Sequence, residues 1–125
     1  ADVDVLCPCA AGGAIDTQVL DHLKARYVIG AANNVLTSAS VAVALAERGV
    51  VHVPDFVANA GGLIACAAEV HGDDSKLSAD VERIAETTTA VLRRAAETGK
   101  DTVSVAVEIG RDRLAARRSE RPRFA

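Results

Sequence analysis

The sequence predicts an α/β fold: half of a doubly wound parallel sheet, about three strands, followed by C-terminal helices. Three observations lead there. Short β-branched runs alternate with segments of helical spacing, each run gives way to a loop of Gly, Pro, Asn and other small residues, and the final third of the chain reads as helix alone.

Taken in order, "VDVLCP" (Val3 to Pro8) is a β-rich run ended by proline, as expected of a strand feeding a loop. In "AIDTQVLDHLKAR", Ile15, Val19, Leu20 and Leu23 recur near the helical period and Asp16 stands where an N-cap belongs. "YVIG" (Tyr27 to Gly30) predicts a second strand. The polar loop "AANNVLTSAS" leads into the helix "SVAVALAERG", closed by Gly49. "VVHVP" (Val50 to Pro54) predicts a third strand. Beyond the NAGG turn the pattern predicts helices over about Leu63 to Val70, Ala79 to Thr98 and Thr102 to Arg118. Ser78 and Glu82 lie close to a capping-box spacing, and Gly99 ends the long helix.

Composition limits what such a chain does. Its 125 residues are half apolar and a quarter charged, within the range of one globular domain, and with 2% aromatics its core must be built of Ala, Val, Leu and Ile. A net charge of -3 argues against general affinity for nucleic acid, so the basic cluster Arg111 to Arg123 reads as a solvated helix face and tail. No apolar run approaches the ~20 residues that span a bilayer, and the N-terminus lacks a signal pattern. The expectation is a cytoplasmic protein without membrane or nucleic-acid partners. The absence of Met fits a piece of a larger product, or an initiator removed before Ala1.

Cys7, Cys9 and Cys66 are expected as thiols, since an odd number without framework spacing does not suggest disulfides. Cys7-Pro8-Cys9 has neither the two-residue gap nor the second pair of a metal site. His22, His52 and His71 share no spacing with carboxylates or cysteines and read as structural or surface residues, and Asp55 reads as a turn or helix cap. No metal site is expected.

In a parallel sheet of this kind, ligands sit beyond the carboxyl ends of the strands. The three loops there are "CPCAAGG", "GAANN" and "PDFVANAGG". Small residues let a flat ligand approach the backbone, and the amides of Asn33, Asn34 and Asn59 both donate and accept hydrogen bonds. A planar ligand carrying a carboxamide, such as nicotinamide, suits them.

The ordered motifs "CPCAAGGAI" (Cys7 to Ile15), "VIGAANNVL" (Val28 to Leu36) and "GVVHVPDFVANAGGLI" (Gly49 to Ile64) resemble the C-terminal part of the glutamate/leucine/phenylalanine/valine dehydrogenases, nearest to the leucine, valine and phenylalanine branch. The resemblance runs from Ala1 to about Leu114. It implies the C-terminal half of a Rossmann-like sheet, with a partial NAD-binding region over 1–72 and a C-terminal helical region over 73–125. The implied activity is oxidative deamination of a neutral branched or aromatic L-amino acid to the 2-oxo acid and ammonia, with NAD as cofactor.

By the same resemblance, Cys9 and Ala10 lie close to the cofactor, Ala31, Ala32 and Asn33 meet its nicotinamide-ribose end, and Asn33 also neighbours substrate. Asn59 orients the nicotinamide or substrate head group at a helix start, held by Gly61 and Gly62. Leu63 and Cys66 line the side-chain pocket, and their apolar character points to a neutral side chain. No G-x-G-x-x-G occurs, and Lys24, Lys76 and Lys100 fall outside the matching motifs, so no catalytic residue is assigned. The chain is therefore expected to be inactive alone. A homo-oligomer or a complementing chain would cover its open sheet. The alternatives are a non-catalytic binding or assembly module and one chain of a split dehydrogenase.

Overall fold

A computed structural model describes residues 2–120. Three short strands, β1 (Val5–Leu6), β2 (Tyr27–Val28) and β3 (Val51–His52), form a parallel sheet in the order β1-β2-β3. Register pairs Val5 with Tyr27 and Tyr27 with Val51, and Leu6 with Val28 and Val28 with His52. Pairing continues past these labels: Ile29 N–H donates to Leu6 O at 3.1 Å and Val53 N–H to Val28 O at 3.0 Å. The strands are thus shorter than Val3 to Pro8, Tyr27 to Gly30 and Val50 to Pro54, because proline and glycine turn each chain out of the ladder as it ends.

Helices α1 (Thr17–His22) and α2 (Ala39–Glu47) are the crossovers. Asp16 caps α1 as the sequence predicts, its carboxylate accepting from Val19 N–H at 2.8 Å. The helix stops at His22, before "LKAR", and Val19 faces solvent. Ile15 lies outside the helix, bridged to Leu36, so the predicted apolar stripe is divided between a bridge residue and the helix. Ile15, Leu20, Val28, Ala32, Val35, Val41 and Leu45 form one buried cluster.

After β3 comes a short helix absent from the sequence expectation, α3 (Asp55–Ala58), then α4 (Gly61–His71), α5 (Leu77–Thr98) and α6 (Thr102–Glu120). Asn59 closes α3, and Ala60 precedes the first turn of α4. Ser78 lies inside α5, which starts one residue earlier behind Lys76 without a side-chain cap, so no capping box forms. Gly99 ends α5 in the left-handed conformation, at φ 68°, as predicted. Residues Arg111 to Ser119 of the basic cluster are exposed on α6, and the remainder of the predicted tail, from residue 121, lies outside the described residues, as does Ala1.

A second cluster joins Val57 of α3 to Val91 and Ala95 of α5 and to Val105 and Ala106 of α6. The helices after residue 72 therefore share apolar core with the segment following β3. Arg94 pairs with Glu108 and Asp112, and Lys100 with Glu108, across α5 and α6, exposed bridges of small energetic weight.

Alternation along the strands divides the sheet into two unlike faces. Val28 and His52 are buried with the helices, and Leu6 is half-buried. Val5, Tyr27 and Val51 on the opposite face are exposed. Among the described residues no helix is long and apolar enough to cross a membrane, and no group of three or more His, Cys, Asp or Glu is placed to hold a metal ion.

Candidate functional site

Of the three loops predicted to converge, the first and second are tied to one another by backbone. Ala32 N–H donates to Pro8 O at 3.1 Å, Gly13 N–H to Asn34 O at 2.7 Å and Ile15 N–H to Val35 O at 3.0 Å. This seam requires close approach. A Cβ on Gly30 would overlap the Pro8 carbonyl, and one on Gly12 would come within 2.8 Å of Asn33 O.

Asn59 joins the third loop to the second. Its Nδ2 donates to Asn33 Oδ1 at 2.7 Å and to Ala31 O at 3.2 Å. Both amide hydrogens are engaged, so Asn59 Oδ1 remains an acceptor, while Asn33, engaged through its oxygen, keeps amide donors. The pair therefore leaves an acceptor oxygen on Asn59 and amide donors on Asn33 unengaged by each other. These cross-loop bonds orient Asn59. Gly61 and Gly62 do not, contrary to the sequence expectation: they begin α4, and a Cβ on Gly62 would meet nothing within 4 Å.

Asp55, expected only as a cap, has a larger part. Its Oδ2 accepts from the backbone N–H of Asn34 at 2.6 Å, across 21 residues of sequence. Asn34 is the sole non-glycine with positive φ among the described residues, at 52°, a conformation that Asn tolerates better than most side chains. A hollow of about 530 Å³ opens beside these groups, lined by Asn33, Asn34, Asp55, Phe56 and residues at the start of α2.

The other predicted residues divide. Ala31 contributes its carbonyl to Asn59. Ala32 is 7% exposed and its N–H donates to Pro8 O, so it supports the loop from within. Cys9 and Ala10 are exposed on the first loop. Leu63 and Cys66, three apart on α4, are also exposed, Leu63 to 77%. They share a helix face, but neither lines the hollow beside Asn33. Another hollow, about 600 Å³, lies between α4 and α5 and contains none of the predicted site residues.

His52 went unmarked in the sequence as anything but structural. It is 4% exposed, and its Nδ1 has no hydrogen-bond partner among the described residues. Burial pushes its pKa below the ordinary value, and the carboxylates of Asp55 and Asp101 oppose that shift without cancelling it. The unfolded chain therefore binds the proton at higher pH than the folded one. The contribution to stability is present above the unfolded value of about 6.5 and is lost as pH falls below it. Urea midpoints taken at about pH 8 and pH 5 should fall further for the native chain than for His52→Leu; parallel falls would contradict this role for His52.

The glutamate/leucine/phenylalanine/valine dehydrogenase family model matches residues 1–121. The valine dehydrogenase of Streptomyces albus is 43% identical over 91 residues, covering 72% of this chain and 25% of that protein. The crystal structure of L-tryptophan dehydrogenase from Nostoc punctiforme superposes with a TM-score of 0.88 at 36% identity, over 93% of this chain and 35% of that one. A hetero-hexameric glutamate dehydrogenase from Thermus thermophilus gives 0.71 at 26% identity, over 98% and 31%. The chain thus spans about a quarter to a third of the length of these relatives. With the three motifs in order and on adjoining loops, the chain belongs to the glutamate/leucine/phenylalanine/valine dehydrogenase family.

Proposed function

We propose that this chain is the C-terminal cofactor-domain portion of an NAD-dependent L-amino-acid dehydrogenase. Its substrate would be a neutral branched or aromatic amino acid, converted to the 2-oxo acid and ammonia. The observation that carries the reading is the Asn59–Asn33 amide pair, clamped to Ala31 O at the carboxyl ends of three parallel strands. It fits the nicotinamide carboxamide, which needs one acceptor and one donor in a plane. NAD bound there would supply the hydride acceptor for the substrate Cα.

On this reading each residue has a bounded task. Asn59 and Asn33 fix the rotation of the nicotinamide, a positional effect that brings the reacting atoms into line. Cys9 and Ala10 border the cofactor, with Ala32 holding that loop from below. Leu63 and Cys66 would form part of the apolar wall of a side-chain pocket whose other walls come from outside this chain. The open space around Gly62 leaves room for a ligand to approach the first turn of α4. None of the residues present is assigned proton transfer to or from substrate, so the chain by itself is expected to be inactive. The division at residue 72, cofactor region before and helical region after, belongs to the same proposal.

The uncovered face bearing Val5, Tyr27 and Val51 supports association as well, because parallel sheets are ordinarily covered on both sides. A homo-oligomer or a complementing chain would provide that cover; a non-catalytic assembly module would use it too. Titration with NADH, followed by fluorescence with sedimentation of the same sample, separates these readings. Saturable binding supports the dehydrogenase portion, and association without binding favours the assembly module.

Asn33→Ala and Asn59→Ala should each weaken NADH binding about tenfold, the scale of one lost hydrogen bond to the ligand. Arg117→Ala, on the exposed face of α6, should leave it unchanged. Equal effects from the three variants would remove the site assignment.

A further inference from the structure

Exposure alternates along the first strand and its loop: Val5 exposed, Leu6 half-buried, Cys7 exposed, Pro8 half-buried, Cys9 exposed. The hydrogen bonds have the same period, with Leu6 O and Pro8 O both accepting from the neighbouring segment, from Ile29 N–H and Ala32 N–H, each at 3.1 Å. Backbone that alternates in this way puts the side chains of residues two apart on one side. Cys7 and Cys9 therefore share a solvent-facing side, both as free thiols.

From this juxtaposition we infer that Cys7 and Cys9 form a reversible thiol-oxidation site, closing an intraloop disulfide by exchange with a low-molecular-weight disulfide. Two residues of extended chain span about 6.6 Å between Cα atoms, at the upper end of the roughly 4.4–6.8 Å range that disulfides accept. The Cβ atoms must also converge to roughly 4 Å, so closure contracts the loop and leaves the bond strained and readily reduced. Cys66 lies on α4 and has no neighbouring thiol in sequence to resolve it.

The exchange balances in two steps. One protein thiolate attacks the small disulfide, giving a mixed disulfide and one small thiolate. The second attacks the protein sulfur of that mixed disulfide and expels the other small thiolate. Two protein thiols are oxidised, one small disulfide is reduced to two thiols, and the two protons pass to the leaving thiolates. Pro8 O anchors Ala32 on the neighbouring loop, so contraction of Cys7-Pro8-Cys9 would pull on the seam supporting Asn33. That consequence, unlike the bond itself, rests on the proposed nicotinamide site.

The test is incubation of the folded chain with oxidised glutathione, followed by peptide mass spectrometry without reductant. The expected result is loss of two hydrogens on the peptide bearing Cys7 and Cys9, with a glutathione adduct on Cys66. Cys7→Ser and Cys9→Ser should each hold a stable adduct on the remaining loop thiol. Cys66→Ser should leave the loop disulfide unchanged, and dithiothreitol should remove it. Stable adducts on both Cys7 and Cys9 of the native chain, or a bond from either to Cys66, would overturn the pairing. NADH titration of the reduced and oxidised forms then reads the consequence, expected as a severalfold loss of affinity on oxidation. Undiminished affinity overturns the coupling to the cofactor loop. Failure of the reduced form to bind bears on the proposed function alone, because the mass measurement decides the pairing independently.

Discussion

Gly30→Ala should lower the stability of the chain by about 3 kcal/mol or more, the upper end of what overpacking costs. The added methyl would overlap the carbonyl of Pro8, a backbone group with no rotamer into which to retreat. Relief requires the first and second loops to separate, which breaks the Ala32 to Pro8 hydrogen bond and loosens the turn that carries Ala31 and Asn33. Gly12→Ala should cost less, because its new Cβ would lie 2.8 Å from Asn33 O, a less severe approach than the overlap at Gly30. Gly62→Ala provides the contrast. Its Cβ meets open space on a helix, so stability should be unchanged or rise by up to about 1 kcal/mol through helix propensity. Urea midpoints for the three variants measure the order. A Gly30→Ala midpoint equal to that of Gly62→Ala would mean that the loops do not meet as described.

Much of this architecture was legible because the signals were local. Short β-rich runs marked all three strands and helical spacings five of the six helices, and Asp16 and Gly99 fulfil their predicted capping roles. The misplacements have physical causes. Ile15 mimics a helix position while it serves a β-bridge, and α1 ends early because Leu23 N–H turns back to Leu20 O. The single turn of α3 lies within a proline-led loop, too short to impose a period of its own. Ser78 had the chemistry of a cap, but α5 begins before it.

The site was legible in outline and less so in its bonds. The small residues and amides of the three loops suggested by composition that these loops meet at a candidate site, and the structure brings Asn33, Asn59 and Ala31 together. What fixes them spans the sequence. Asn59 reaches back 28 residues to Ala31, and Asp55 reaches back 21 to Asn34. No periodicity records such pairs. Asp55 looked like a cap because its partner is a backbone N–H, a group present at every residue except proline. His52 could not be separated from a surface histidine by a strand of two residues, since its burial depends on tertiary packing that local spacing does not record.

Replacing Asp55 tests that long-range fastening directly. Asp55→Ala should lower stability by about 2 kcal/mol, the scale of a hydrogen bond to a charged group whose donor is left without its partner. The donor here belongs to Asn34, whose left-handed backbone is held in place in part by that carboxylate. Asp55→Asn keeps an acceptor but loses the charge, so about half the effect should remain. A purely steric role would instead let Asn restore the native value. The same substitutions carry a second signal. The Asp55 carboxylate is the larger of the two influences that raise the His52 pKa against burial, so its removal should lower the histidine titration further, with Asp101 left in place. Following the His52 ring by NMR through the acid range, beside urea midpoints for each variant, reads both effects in one set of proteins. A midpoint within about 0.5 kcal/mol of the native chain, together with an unmoved His52 titration, would show that Asp55 fastens neither the second loop nor the electrostatics beneath it.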